Sequence, residues 1–256
     1  MPWPDFPLAF YPVAVVAILL TGISKGGFGA AGGVAVPLMS IFIAPPEAAG
    51  IMLPILCAMD LFGLHAYRSR WSRAHLRVLL PGALVGIALG AAAFGTLSVN
   101  AIRLIVGVIA VAFALNRWLA LSERLAARLA AGSVGRGPVA GAFWGTLSGF
   151  TSTLAHAGGP PFAIYMLPQK LDKTLFVGTS VTFFLVVNYV KLVPYYFLGQ
   201  LSGGNLAAAL AFAPLAPLGI RLGVWLHRRV PERAFYQVSY ALLFATGTKL
   251  VWDALA

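Results

Sequence analysis

Gly22-Ile23-Ser24-Lys25-Gly26-Gly27-Phe28-Gly29-Ala30-Ala31-Gly32-Gly33 closes an apolar run over residues 7–23 and opens onto a second, short one at 34–44. The arrangement returns at Ser152-Thr153-Leu154-Ala155-His156-Ala157-Gly158-Gly159-Pro160-Pro161, between apolar runs at 138–151 and 162–168. Glycine interrupts a helix through backbone entropy, and proline through its missing N–H and its ring. Each stretch therefore reads as two short helices joined by a non-helical tip.

Six longer apolar segments surround these breaks, at 46–65, 77–97, 100–119, 174–196, 205–226 and 234–252. Each has about the twenty residues that a helix needs to cross the hydrocarbon of a bilayer. The runs are continuous rather than alternating, which argues against membrane strands. Composition agrees: 60% of the residues are hydrophobic, 10% are charged, and mean hydropathy is +0.87. A soluble domain carries about 25% charged residues because its surface must face water. A chain this poor in charge is a membrane chain.

The formal net charge of +11 does not mark a nucleic-acid binder. Its arginines cluster between apolar runs, at Arg68, Arg70, Arg73 and Arg77, at Arg124, Arg128 and Arg136, and at Arg228, Arg229 and Arg233. Such residues orient membrane proteins, whereas groove binding needs a soluble basic face. The single cysteine, Cys57, allows neither an internal disulfide nor a cysteine-based zinc site. No metal site and no cofactor are expected. The start of the chain lacks the basic region of a cleaved leader, and none is read there.

The two halves align. Ser24 and Gly32-Gly33 answer Ser148 and Gly158-Gly159, with two extra residues in the second copy. Gly50 and Asp60 fall on Gly178 and Asn188, and Gly86 and Gly90 fall on Gly219 and Gly223. The Gly-x-x-x-Gly pairs are assigned to close helix packing. Loop charge then sets orientation: the arginine-rich 66–76 loop and the 120–137 linker face the cytoplasm, and the uncharged 98–100 loop faces out. In the second half the signs reverse, with 197–204 uncharged and 227–233 basic. The expected fold is an all-α polytopic membrane protein of two inverted-topology repeats. Each is a broken-helix hairpin plus three spanning helices, about 8–10 membrane segments in all. Residues 1–119 form the first repeat, 120–137 a basic cytoplasmic linker, and 138–256 the second repeat.

The stretch from Gly22 through Gly33 and on to Val34-Ala35-Val36-Pro37-Leu38 resembles the first signature of the sulfite exporter TauE/SafE family. Leu147-Ser148-Gly149-Phe150 through Gly158-Gly159-Pro160-Pro161 resembles its second copy. Thr151-Ser152-Thr153-Leu154-Ala155-His156 departs from the glycine-rich form usual there, and Lys25 matches a lysine-containing variant of the first motif. The resemblance spans essentially the whole chain. It implies a bacterial inner-membrane permease for small sulfur-containing anions such as sulfite or sulfonates.

An anion within a membrane needs hydrogen-bond donors and positive potential. Helix N-termini supply both, and the short helices expected to begin near Val34 and Phe162 would aim them at the breaks. Backbone that unwinds at membrane depth must be buried or line a wet cavity, because lipid leaves its polar groups unsatisfied. The candidate substrate-binding residues are therefore Ser24, Lys25, Gly26, Gly29, Gly32 and Gly33 in the first break. In the second they are Ser148, Ser152, Thr153, His156, Gly158 and Gly159. Glycine lets backbone approach a ligand closely, and the hydroxyls add donors. Lys25 either attracts the anion or snorkels. His156 donates, exchanges a proton or simply packs. Asp60, aligned with Asn188, either neutralises Lys25 or carries a coupling proton. Lys191 and Arg103 lie nearer segment ends and are expected to snorkel.

An intramembrane hydrolase built on Ser24 or Ser152 with His156 is the enzymatic rival. No G-x-S-x-G elbow or H-E-x-x-H motif supports it, and no enzyme is expected. A channel or scaffold is the other rival. The expected partners are the lipid bilayer and a small anionic substrate. Proton coupling and a homodimer stay open.

Overall fold

The computed structural model describes residues 5–28, 33–66, 70–121, 124, 137–227, 229 and 232–256. In the first half α1 (Phe10–Ile23), α2 (Ala35–Met39), α3 (Pro45–Ala66), α4 (Arg73–Thr96) and α5 (Val99–Trp118) follow one another. The second half holds α6 (Pro138–Ala155), α7 (Gly159–Met166), α8 (Lys173–Phe197), α9 (Gly203–Phe212), α10 (Leu215–His227) and α11 (Glu232–Leu255). No strand occurs among the described residues. Most of the 120–137 linker, and residues 67–69, 228, 230 and 231 of the basic loops, lie outside them.

Pro45–His65, Arg73–Thr96, Val99–Asn116 and Thr174–Phe197 are long and apolar enough to cross a membrane, within one residue or so of the expected limits at most ends. The 205–226 segment differs from expectation. It bends by 43° between α9 and α10, and counts as a fifth span only if the pair is taken together. Pro214 is the cause. It has no N–H to give to Leu210, and the Ala213 N–H closes onto the Leu210 carbonyl at 3.2 Å instead. The 234–252 segment is helical within α11 but is not among these spans.

Both breaks are shorter than the sequence implied. After α1 the helix widens into a π turn over Ser24–Phe28 rather than stopping at Ser24. In the second half α6 runs through Ser152 and Thr153 to Ala155, and α7 begins at Gly159 rather than near Phe162. Only His156, Ala157 and Gly158 separate the two helices.

Apolar residues face outward as well as inward. On α4, Leu84, Val85 and Leu89 are exposed while Ala83, Gly86, Ile87 and Gly90 are buried. The outer row suits lipid, and the small inner row suits a close helix neighbour. That neighbour is α6: a Cβ on Gly86 would overlap the Thr146 carbonyl. The counterpart Gly219 of α10 meets α1, where its Cβ would lie 3.0 Å from the Gly22 Cα. Gly22 and Thr146 each precede the paired serines, Ser24 and Ser148, by two residues.

The pairings repeat between the halves. α1 packs on α10 as α6 packs on α4, while α3 packs on α8 and α5 on α11. Exchanging the halves leaves this set unchanged. Direction along the pairs is also fixed. Gly50 of α3 abuts the Gln200 carbonyl, Asp60 bonds Asn188, and a Cβ on Gly63 would lie 3.1 Å from Val181. As α3 advances α8 recedes, so the two are antiparallel. α5 and α11 are antiparallel too: a Cβ on Gly107 would lie 2.9 Å from the Val251 side chain, and one on Gly247 2.9 Å from Ala110. Trp118 then stands against Phe244, with ring centroids 5.2 Å apart.

Candidate functional site

The second break ends α6 with a left-handed αL cap. The His156 N–H bonds the Ser152 carbonyl at 3.0 Å and the Ala157 N–H bonds the Thr151 carbonyl at 3.3 Å. The residue that makes the first of these bonds must adopt left-handed backbone, and His156 does so at φ 51°, ψ 32°. Glycine is the ordinary choice there.

α8 seals the same helix end with two side chains four residues apart on one face. Lys191 Nζ donates to the Ser152 carbonyl and Ser152 Oγ, each at 3.0 Å, and contacts His156 Nδ1 at 2.8 Å. The Tyr195 hydroxyl donates to the Thr153 carbonyl at 2.5 Å, and its ring stacks on His156 with centroids 6.1 Å apart. The far side of the imidazole meets the Ala49 carbonyl of α3, with Nε2 at 3.0 Å. A carbonyl only accepts, so Nε2 carries the proton, and the neutral ring then offers Nδ1 as an acceptor for Lys191. Lys191 and Tyr195 are both 0% exposed.

One turn before Lys191, Asn188 Nδ2 donates to Asp60 Oδ2 at 2.5 Å. The other carboxylate oxygen, Oδ1, takes the Lys25 ammonium in an ion pair. Asp60 thus ties the π turn after α1 to α8 through α3. Asp60 and Asn188 each sit fifteen residues beyond the first residue of their helices, Pro45 and Lys173.

The remaining candidates divide. Ser148 is buried, and its hydroxyl donates to the Gly158 carbonyl at 2.7 Å. A Cβ on Gly158 would lie 2.7 Å from the Ser148 carbonyl, so this glycine admits a serine rather than open space. The Thr153 hydroxyl is committed to the Gly149 carbonyl at 2.8 Å, and its methyl packs on Gly90. Gly26 packs against the Ile220 backbone of α10. Ser24 is buried. Gly159 opens α7, but Pro160 and Pro161 carry no N–H, so the first turn of that helix offers fewer donors than an ordinary N-terminus. Gly29 and Gly32 lie outside the described residues. Gly33 meets Ala157, where a Cβ on it would lie 3.0 Å from the Ala157 Cβ. The two breaks therefore touch.

Lys191 is the main correction. Its distance from the end of α8 implied snorkelling, yet the side chain turns inward and is fully buried. Its signal was present in the sequence: a lysine three residues after the asparagine aligned with Asp60 shares that residue's helix face. Tyr195, four residues further, completes the stripe. Arg103 remains at a segment end, with a guanidinium N–H 3.4 Å from the Asn100 side chain.

No group of three or more His, Cys, Asp or Glu side chains placed to hold a metal ion occurs among the described residues. A family model described as sulfite exporter TauE/SafE matches residues 14–250 of the chain. A search of curated proteins and a search of solved structures each returned no match.

Proposed function

The chain belongs to the sulfite exporter TauE/SafE family, a family of membrane transporters, and on that premise we propose that it is a secondary transporter of small sulfur-containing anions such as sulfite or organosulfonates, exporting them across the bacterial inner membrane. The observation that carries this reading is the meeting of the two breaks at Gly33 and Ala157, with the buried Lys191 held against the second break and the half-buried Lys25 in the first. Interrupted helices that converge inside a bundle are where secondary transporters hold their cargo. Ser24, Ser152 and the glycine N–H groups of the breaks supply donors there, Ser148 holds Gly158 in place, and the lysines supply positive potential.

The antiparallel course of α3 against α8 and of α5 against α11 supports two repeats inserted in opposite senses. Such a pair can rock about a central site and expose it to each face in turn. Lys25, Asp60 and Asn188 are then charge-balance residues at the joint between the first break and α3. Movement of α1 relative to α3 has to part Lys25 from Asp60. A hydrolytic reading fits less well, because both His156 ring nitrogens face partners other than a serine hydroxyl.

Counterflow in liposomes tests the function. The purified chain is expected to exchange labelled sulfite or methanesulfonate for unlabelled substrate trapped inside. Lys25→Ala is expected to lower that exchange. Wild-type flux with unchanged affinity in the variant would remove Lys25 from the machinery, and absence of any exchange by the unaltered protein would remove the carrier reading.

A further inference from the structure

Within the buried centre the charges do not cancel. Lys25 is neutralised by Asp60, whose second oxygen is already held by Asn188. Lys191 has all three ammonium protons directed at uncharged acceptors: the Ser152 carbonyl, Ser152 Oγ and His156 Nδ1. Besides His156, the ionisable groups that act on Lys191 are Asp60, Lys25 and Cys57, so among the described residues the one carboxylate within reach is the one already paired. The carbonyl end of α6 supplies about half a negative charge, less than a whole counter-ion. With Lys191 protonated the centre thus holds two ammonium groups and one carboxylate, an excess of one positive charge.

A buried cation without a counter-charge is costly in a membrane, and such groups mark ion pathways. From this balance we infer that Lys191 is the ammonium that faces the cargo, and that the site takes singly charged oxyanions in preference to doubly charged ones. A monoanion brings the centre to neutrality, whereas a dianion leaves it one charge negative in a medium that cannot solvate the surplus. Ser152 is placed to take part. Its hydroxyl now accepts from Lys191 and has its own proton to turn toward an anion that displaces it. His156 holds the ammonium in position from the other side. The assignment rests on the anion-carrier reading above and names the residue and charge class that it left open.

The test uses the full chain in liposomes, with labelled methanesulfonate in counterflow and three unlabelled competitors outside: methanesulfonate, ethane-1,2-disulfonate and nitrate. Methanesulfonate is expected to compete at least tenfold better than the disulfonate. Lys191→Met is expected to raise the KM for methanesulfonate about thirtyfold or more, the scale for losing a buried charged partner, while its melting temperature in detergent stays at or above that of the unaltered protein. Asp60→Asn adds a second uncompensated charge and is expected to shift the preference toward the disulfonate. Should Asp60→Asn fail to fold, the Lys191→Met arm and the competition in the unaltered protein stand without it. Equal competition by the disulfonate overturns the charge rule. A wild-type KM in Lys191→Met, or a lost melting transition in a variant otherwise as active per folded molecule, assigns Lys191 to capping α6 and overturns its role toward cargo. Counterflow of labelled nitrate, run in parallel, with none of any sulfur anion and abolished in Lys191→Met, would sink the sulfur reading and leave the charge assignment standing.

Discussion

His156 sits in left-handed backbone, at φ 51° and ψ 32°, where the cap at the end of α6 would ordinarily hold glycine. A side chain there costs about 1 kcal/mol, because Cβ crowds the next carbonyl. The ring compensates by joining three elements: its own helix end, Lys191 and Tyr195 of α8, and the Ala49 carbonyl of α3. Two truncations separate backbone from ring. His156→Gly loses the contacts and relaxes the turn, whereas His156→Ala loses the same contacts and keeps the strain. The alanine variant is expected to be the less stable by about 1 kcal/mol, read by denaturant titration in detergent. Equal stabilities would mean that the turn does not hold left-handed backbone in solution. Sequence pointed to His156, Ser152, Lys25 and Asp60 because polar groups in apolar surroundings stand out singly. It does not single out Lys191, because nearness to a helix end does not say which way the side chain turns. Which way a lysine turns depends on the neighbouring helix, and here that neighbour is a carbonyl-rich end awaiting donors.

Helix by helix, the close pairs depend on missing side chains. Gly86 of α4 faces the Thr146 carbonyl of α6 with no room for a Cβ, and the pair α1 and α10 meets in the same manner at Gly22 and Gly219. Lipid offers no hydrophobic drive for helix association, so the van der Waals contact of small surfaces has to hold these pairs. Gly86→Val is expected to force α4 from α6 and destabilise the protein by about 1–3 kcal/mol, the usual range for overpacking. Gly95 lies on the same helix with only the Leu198 side chain nearby, 3.4 Å from a built Cβ. Gly95→Ala should therefore be neutral or stabilising by up to about 1 kcal/mol, since alanine is the better helix former. Thermal melts of both variants in one detergent give the comparison, and a similar loss in each would show that α4 tolerates no change at any depth. The spans of α3, α4, α5 and α8 were legible in the sequence because hydropathy alone sets where a chain can cross lipid. The breaks were legible in place but not in extent. Ser152 and Thr153 remain helical because the His156 N–H closes on the Ser152 carbonyl and Tyr195 of α8 satisfies that of Thr153. A π turn likewise keeps Ser24–Phe28 wound despite two glycines. Both depend on tertiary partners that no local pattern contains.

Across the whole molecule, loop charge and helix direction are independent observations that bear on one question, the relative insertion of the halves. The 66–76 and 227–233 loops are basic, and the 98–100 and 197–204 loops carry no charge. In a duplicated chain inserted twice in the same sense, equivalent loops would match in charge, and these are reversed. Helices α3 and α8, equivalent through Asp60 and Asn188, run antiparallel where they touch, as a two-fold axis in the membrane plane requires. Inversion predicts a labelling pattern that a parallel duplication cannot give. With Cys57, the sole cysteine, replaced by alanine, single cysteines can be placed at the exposed positions Arg70, Asn100, Ser202 and Arg229. Asn100→Cys and Ser202→Cys are expected to react with a membrane-impermeant maleimide on intact cells. Arg70→Cys and Arg229→Cys are expected to react only after permeabilisation. Arg70 and Ser202 occupy equivalent loops of the two halves, so reaction of both from one side would mean that the repeats insert alike. The meeting breaks would then lack the symmetry that lets one site open to both faces.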